Sequence, residues 1–410
     1  MMKSVPKKLL YIGHVWPEPA SSAAGYRTMA ILQAAQAEGW KVDFASSSEP
    51  TPWSIELKKH GFKSHKITIN EGSFDKFIQE HQADFVVFDR FITEEQFGWR
   101  VEKYSPNSIR ILDTIDLHFL RRERQKALNE NYQFNLHSND AVREISAIYR
   151  CDLSLIISSF EIQLLQEKFT IPSELLFYSP FMLQRDKNLK LKDFKQRRNF
   201  IMIGNFIHAP NWDAVVWCYK HIWPSIRTHL PDAELHVYGA YVPDKAKQFH
   251  QPQKGFHIMG RAEKLQELFP TYRLNLVPLR FGAGIKGKIA DGFIYGTPCI
   301  TTPIGAEGMA ENLPWGGHIC EPNEEFVKQA ISLYQKPEEW YQCQLNGWQI
   351  LEQVHNKDKN QSALINQLLK IEEIIQCHRK NNFIGHMLRY HFHRSTEFMS
   401  RWIEEKNKTV

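Results

Sequence analysis

What this chain lacks excludes several chemistries. Its six cysteines are scattered from Cys151 to Cys377 without a CxxC pair, which argues against a zinc ribbon or disulfide framework and fits reduced thiols in a cytoplasm. No stretch approaches the ~18 apolar residues of a membrane span. The early run Leu9 to Ile12 reads as a buried strand, too short for a signal peptide. There is no GxSxG, no HExxH and no GxxxxGK(S/T). The first strand runs into Gly13-His14-Val15-Trp16 rather than GxGxxG, which argues against a nicotinamide dehydrogenase. No DxD motif is present, so no metal is expected. A net charge of +5 is mild: it suits anionic ligands or a membrane surface, and nothing in it points to nucleic acid.

What is present is a soluble-type composition, 42% hydrophobic and 24% charged, over 410 residues, long enough for two domains. Short apolar strands are expected at Lys8 to Ile12, Lys41 to Ala45, Phe85 to Phe88, Ile109 to Leu112 and Leu153 to Ile157. Helical spacing lies between them, as in Gly25 to Glu38 and Ser138 to Tyr149. Strands alternating with helices imply a parallel sheet covered on both faces. Residues 184–198, rich in Lys and Arg, break the rhythm and read as a linker. A second alternation begins at Asn199, with one helix expected over Trp212 to Leu230. The expected organisation is therefore residues 1–183, the linker 184–198, a second domain over 199–358, and a tail over 359–410. The tail carries His, Arg and aromatics, among them Phe383, Tyr390, Phe398 and Trp402. It reads either as a helix docked on the body or as a basic amphipathic anchor on a membrane surface.

The most informative stretch is Pro278 to Met309. A strand, Asn275 to Pro278, leads into a glycine loop that opens a helix, and a second strand, Pro298 to Thr302, follows. Gly282 and Gly284 allow close backbone approach. The amides from Gly284 through Ile285 to Gly287 lie at a helix start, where partial positive charge collects. Lys286 and Lys288 add full charges. Asp291, three residues past Lys288, shares its helix face and can take ribose hydroxyls. The set describes a site for a nucleoside diphosphate.

This stretch resembles the donor site of the large retaining family 4 of GT-B glycosyltransferases, the glycosyltransferase group 1 type. The resemblance extends to Gly-Asn-Phe-Ile-His-Ala-Pro-Asn-Trp-Asp-Ala within Asn199–Gly239 and to the loop Trp16-Pro-Glu-Pro-Ala-Ser-Ser-Ala-Ala-Gly-Tyr-Arg27. It also includes Leu112-Asp-Thr-Ile-Asp-Leu-His-Phe-Leu-Arg-Arg-Glu-Arg124, so that most of residues 8–355 is covered. It implies an α/β GT-B fold, two Rossmann-like domains facing across a cleft, with a C-terminal helical tail. It implies transfer of a sugar from a nucleoside diphosphate sugar to an acceptor hydroxyl with retention of configuration, in glycan biosynthesis. The nucleotide sugar is a substrate, and no cofactor is implied. The acceptor would be a glycan, a lipid-linked glycan or a protein. The protein would be cytoplasmic, with the tail as a peripheral membrane contact.

Position by position, members of the family carry two glutamates separated by seven residues. The second falls on Asp291, which would hold the ribose, and the first on Ala283, where the acid is missing. The arginine and lysine common after the first strand of the second domain are replaced by Asn205 and Asn211. Lys286 and Lys288 then remain as the diphosphate cations, with Arg261 beside them and Glu307 as a weaker donor contact. From the first domain, Gly25 would either meet the diphosphate with its amide or serve only as a glycine at the helix N-cap, and His118 would meet the donor sugar. Arg121, Arg122 and Arg124 read as a solvated helix face or an acceptor-side anion site. Asp89, Arg90, Glu94 and Glu95, which follow a strand end, read as a salt-bridged helix start or as an acceptor contact. The same fold also serves sugar-nucleotide epimerases, phosphorylases and inactive partner proteins, which stand as alternatives.

Overall fold

The computed structural model describes residues 6–408; residues 1–5 and 409–410, the extreme ends of the expected first domain and tail, lie outside the described residues. The first sheet has seven parallel strands: β1 (Lys8–Gly13), β2 (Lys41–Ser46), β3 (Lys63–Lys66), β4 (Phe85–Asp89), β5 (Ile109–Asp113), β6 (Leu153–Ile156) and β7 (Leu176–Tyr178). Their spatial order is β3-β2-β1-β4-β5-β6-β7. The central strands are buried almost throughout because helices cover both faces, which is why they read as apolar runs.

The second sheet comprises β8 (Arg198–Ile203), β9 (Leu235–Tyr238), β10 (Phe256–Gly260), β11 (Tyr272–Val277), β12 (Cys299–Thr301) and β13 (Gly317–Ile319), in the order β10-β9-β8-β11-β12-β13. This sheet is also parallel throughout. The helix expected over residues 212–230 begins earlier, at Ala209. It widens into a π turn over Cys218–Ile222 and resumes at Trp223–His229. Pro224 lacks the amide a regular helix would use, which places the irregularity there.

Residues 184–198 are anchored to the second domain. Phe194 packs edge-on against Trp340, with ring centroids 5.7 Å apart. Arg197 is fully buried, donating to Thr297 Oγ1 at 2.8 Å and to the Tyr295 carbonyl at 2.9 Å. The chain crosses between domains twice, and the crossings pair: Leu183 donates to the His355 carbonyl at 2.7 Å, and Lys357 donates back to Leu183 at 2.9 Å. Helix Lys357–Asn381 then packs Leu364, Ile365, Leu368 and Ile371 into the first domain's core beside Met29 and Leu32. The tail is therefore docked on the first domain. Among the described residues, no helix is long and apolar enough to cross a membrane.

Candidate active site

In each sheet the strand order reverses once, between β1 and β4 and between β8 and β11. Open parallel sheets bind ligands at such switch points, beyond the carboxyl ends of the strands. Loops from both switch points line one cavity of about 530 Å³.

On the second-domain wall, β11 feeds the glycine loop and Lys286 stands at the N-cap of helix Gly287–Ile294. Gly284 has φ +63°, the left-handed region that glycine enters freely, and a Cβ there would lie 2.8 Å from Asp116 Cβ of the other domain. Gly287 makes a second close approach: its Cβ would lie 2.8 Å from Ala23 Cβ. Ala23 opens helix Ala23–Ala37, so two helix N-termini come together at the cavity, each with partial positive charge.

Lys286 is buried, and its Nζ donates back to the Gly284 carbonyl at 2.5 Å. Lys288 Nζ donates to Asn211 Oδ1, and Asn211 is held in turn by its Nδ2 on the Asn205 carbonyl at 2.8 Å. Desolvation lowers Lys286 to about 8 and Lys288 to about 7, and the second shift is reinforced by Lys286. Asp291 also lines the cavity, and desolvation raises it to about 7 against the pull of Lys288. Burial outweighs the carboxylates that favour the charged forms, Glu307, Glu161 and Asp116 for Lys286 and Asp291 for Lys288.

On the first-domain wall, Asp116 accepts from Arg121 Nε at 2.6 Å and pairs with His118 Nε2 at 3.1 Å. Burial lowers the His118 pKa, and Asp116 opposes the shift. His118 Nδ1 is buried without a hydrogen-bond partner. Arg90 projects from the strand-to-helix junction with φ +71°, a strained conformation of the kind that clusters at functional sites.

Among the residues singled out from sequence, His118, Arg261, Gly282, Ile285, Lys286, Lys288 and Asp291 line the cavity together; Gly25, Gly284 and Glu307 do not. The Gly25 amide, expected on the diphosphate, donates instead to the Ser22 side chain at 3.0 Å, and a Cβ would strike the Glu18 backbone at 2.4 Å. Gly284 donates its amide to Glu161 Oε1 at 2.8 Å, bonding the loop to the opposite domain. Glu307, expected to touch the donor, forms a fork with Arg124 in which both bonds are 2.8 Å, and Arg124 also donates to the Gly282 carbonyl. Arg124 is thus an interdomain tie. Arg122 pairs with Asp140. Glu94 and Glu95 form ion pairs with Arg150 and Arg143, while Asp89 accepts from the His14 amide at 3.0 Å.

Residues missed from the sequence are His208, which lines the cavity, and Glu161, which receives the Gly284 amide. Arg261 stacks over Trp53 of the first domain at 4.3 Å, and Tyr241 Oη donates to Glu18 at 2.9 Å, joining the domains at the cavity's far side. Two carboxylate–histidine groups, Asp43/His65/His81 and Glu234/His236/His257, have spacing that could hold a metal, but both lie outside the cavity lining.

Residues 197–336 match the family model described as glycosyl transferases group 1. No curated protein matches the chain. Among solved structures it is similar to a sucrose-phosphate synthase from Thermosynechococcus elongatus, with TM-score 0.67 and 13% identity, covering 89% of this chain and 98% of that one. It is also similar to the Anabaena protein Alr3699/HepE, solved in complex with UDP and glucose, with TM-score 0.65 and 12% identity, covering 89% and 100%. A third is WaaG, a glycosyltransferase involved in lipopolysaccharide biosynthesis, with TM-score 0.61 and 13% identity, covering 87% and 99%. The fold is that of GT-B glycosyltransferases, two parallel α/β domains with a helical C-terminal segment.

Proposed function

We propose that this chain is a glycosyltransferase that moves a sugar from a nucleoside diphosphate sugar to an acceptor hydroxyl with retention of configuration. One observation carries the reading. Two helix N-termini, Lys286 and Lys288 converge on a single cavity with Asp291 one turn away, and all of these but the N-terminus at Ala23 lie inside the segment that matches the group 1 model. That arrangement suits two phosphates and a ribose.

In the proposed reaction, the acceptor oxygen bonds to the sugar's anomeric carbon as the bond from that carbon to the diphosphate oxygen breaks, on the same face. The acceptor proton passes to the leaving phosphate. Lys286, Lys288 and the helix-start amides stabilise the charge that grows on the diphosphate. Asn211 aims Lys288, a positioning role that sequence comparison alone would read as loss of a cation. No metal enters this scheme. The donor chemistry agrees with Alr3699/HepE having been solved with UDP and glucose.

A second reading has its own observation. Asp116 and His118 form a carboxylate–imidazole pair in the cavity wall, an arrangement that can serve as a general base. A base acting on the acceptor from the opposite face would give inversion. The proton NMR coupling of the anomeric centre in the first product formed decides between them. Retention is expected, and an inverted product would transfer the catalytic role to His118.

A further inference from the structure

The last helix is amphipathic the wrong way round for a surface element of a globular protein. Backbone angles stay helical from Phe383 through the wide turn Arg389–His393 to Lys408, a rod of about 39 Å at 1.5 Å per residue. Its inward face is mainly polar, with Leu388 against the core and Phe392 under Arg150 as its apolar contacts. Arg389 donates to the Arg150 carbonyl at 3.2 Å and pairs with Glu102 at 3.1 Å. His393 pairs with Glu102 as well, Ser400 accepts from Arg100 at 2.9 Å, and Arg401 reaches Asp75 at 2.7 Å.

Its outward face is apolar. Phe383, Ile384, Met387, Tyr390, Phe398 and Trp402 recur at helical spacing and stand exposed, with Phe383 at 65%, Phe398 at 73% and Trp402 at 60%. Scattered apolar residues on a surface are ordinary, but six on one helix face, with Arg394 between Tyr390 and Phe398, mark an interaction face. Helix docking did not need these side chains, because the inner face supplies the contacts.

We infer that this stripe docks the protein onto an anionic membrane surface, lying in the interface without crossing it. The composition points to lipid rather than to protein. Large aromatics form the stripe, and exposed cationic groups flank it, Lys380 and Arg394. Arg394 lies over the Tyr390 ring at 4.8 Å, an amphipathic pairing that keeps its charge at headgroup depth. A second copy pairing stripe to stripe would oppose these same cations to one another, whereas an anionic surface complements them.

The inference is independent of the donor chemistry, so the test uses the whole chain without nucleotide. Sedimentation with vesicles of phosphatidylglycerol and phosphatidylcholine is expected to carry the protein down, and vesicles of phosphatidylcholine alone to bind at least tenfold less. The triple variant Phe383→Ser, Phe398→Ser, Trp402→Ser is expected to lose at least tenfold in binding while keeping the wild-type melting temperature and donor affinity. Should that variant melt early, the charge-reversed pair Lys380→Glu and Arg394→Glu gives the same reading, with binding that falls as salt rises. Wild-type protein left in the supernatant with anionic vesicles would overturn the inference. So would binding that survives both variants, or a dimer in analytical ultracentrifugation that the triple variant abolishes.

Discussion

Arg124 and Glu307 form a two-bond fork across the cleft, each bond 2.8 Å long, joining the helix after β5 to the turn after β12. Both side chains are largely buried, at 17% and 12% exposure, so solvent screens the pair only in part. Removing one partner leaves the other charge desolvated, which is more costly than losing the pair itself. Arg124→Ala is expected to lower stability by about 1–3 kcal/mol, read as a drop of several degrees in thermal melting. Glu307→Gln, which keeps one acceptor oxygen for the guanidinium, is expected to lose less. Equal losses in the two variants would contradict the fork's role.

Glu161 gives the closed interface a pH dependence. Its Oε1 accepts the Leu117 amide at 3.0 Å and the Gly284 amide at 2.8 Å, and burial raises its pKa to about 7. A carboxyl whose folded pKa lies above its unfolded value holds more protons when folded. Its stabilising contribution is full below the ordinary glutamate range and is lost as pH rises through about 7. Thermal melting between pH 5 and 8 should therefore show a wild-type loss that Glu161→Gln reduces by up to about 3 kcal/mol. Parallel curves for the two proteins would refute this assignment.

The depressed lysines predict proton uptake on donor binding. Lys288 at about 7 and Lys286 at about 8 are partly neutral near neutral pH, and a diphosphate between them favours their charged forms. Nucleoside diphosphate affinity should then be greatest below about pH 7 and weaken as pH rises through 8, up to tenfold per unit for each lysine that must be charged. Calorimetry in buffers of different ionisation enthalpy measures the protons directly. A net release of protons would have the wrong sign.

Gly284 and Gly282 make a controlled comparison. A methyl at Gly284 meets Asp116 Cβ at 2.8 Å and sits on a left-handed backbone, whereas at Gly282 the nearest atom is 3.5 Å away. Gly284→Ala should destabilise the protein by about 1–3 kcal/mol, and Gly282→Ala by a few tenths. Differential scanning calorimetry of both variants checks the contrast.

Much of this architecture was legible because it rests on local pattern. β1, β4, β5 and β11 are buried on both faces, so their apolar runs announce them. β3 is Lys-Ser-His-Lys at a sheet edge, where solvent replaces the packing that would have left an apolar signature. His118 could be found because it follows a strand end closely, and Lys286, Lys288 and Asp291 because a glycine loop and a helix start mark them. Glu307 could not be assigned, because its partner Arg124 comes from the other domain and only the folded chain brings them together. The same holds for Glu161, whose importance comes from amides at positions 117 and 284. Sequence patterns report burial and turns well, but they carry little about which domain surfaces meet.

Calorimetric titration of wild-type and Lys288→Ala proteins with UDP and GDP at pH 7 tests the central claim most directly. Lys288 is held desolvated with a lowered pKa, so its removal should leave thermal melting near the wild-type value. At least one diphosphate is expected to bind the wild type, and Lys288→Ala to weaken it at least tenfold, about 1.4 kcal/mol. Equal affinity in the two proteins, or no binding of either diphosphate by the wild type, would contradict the account.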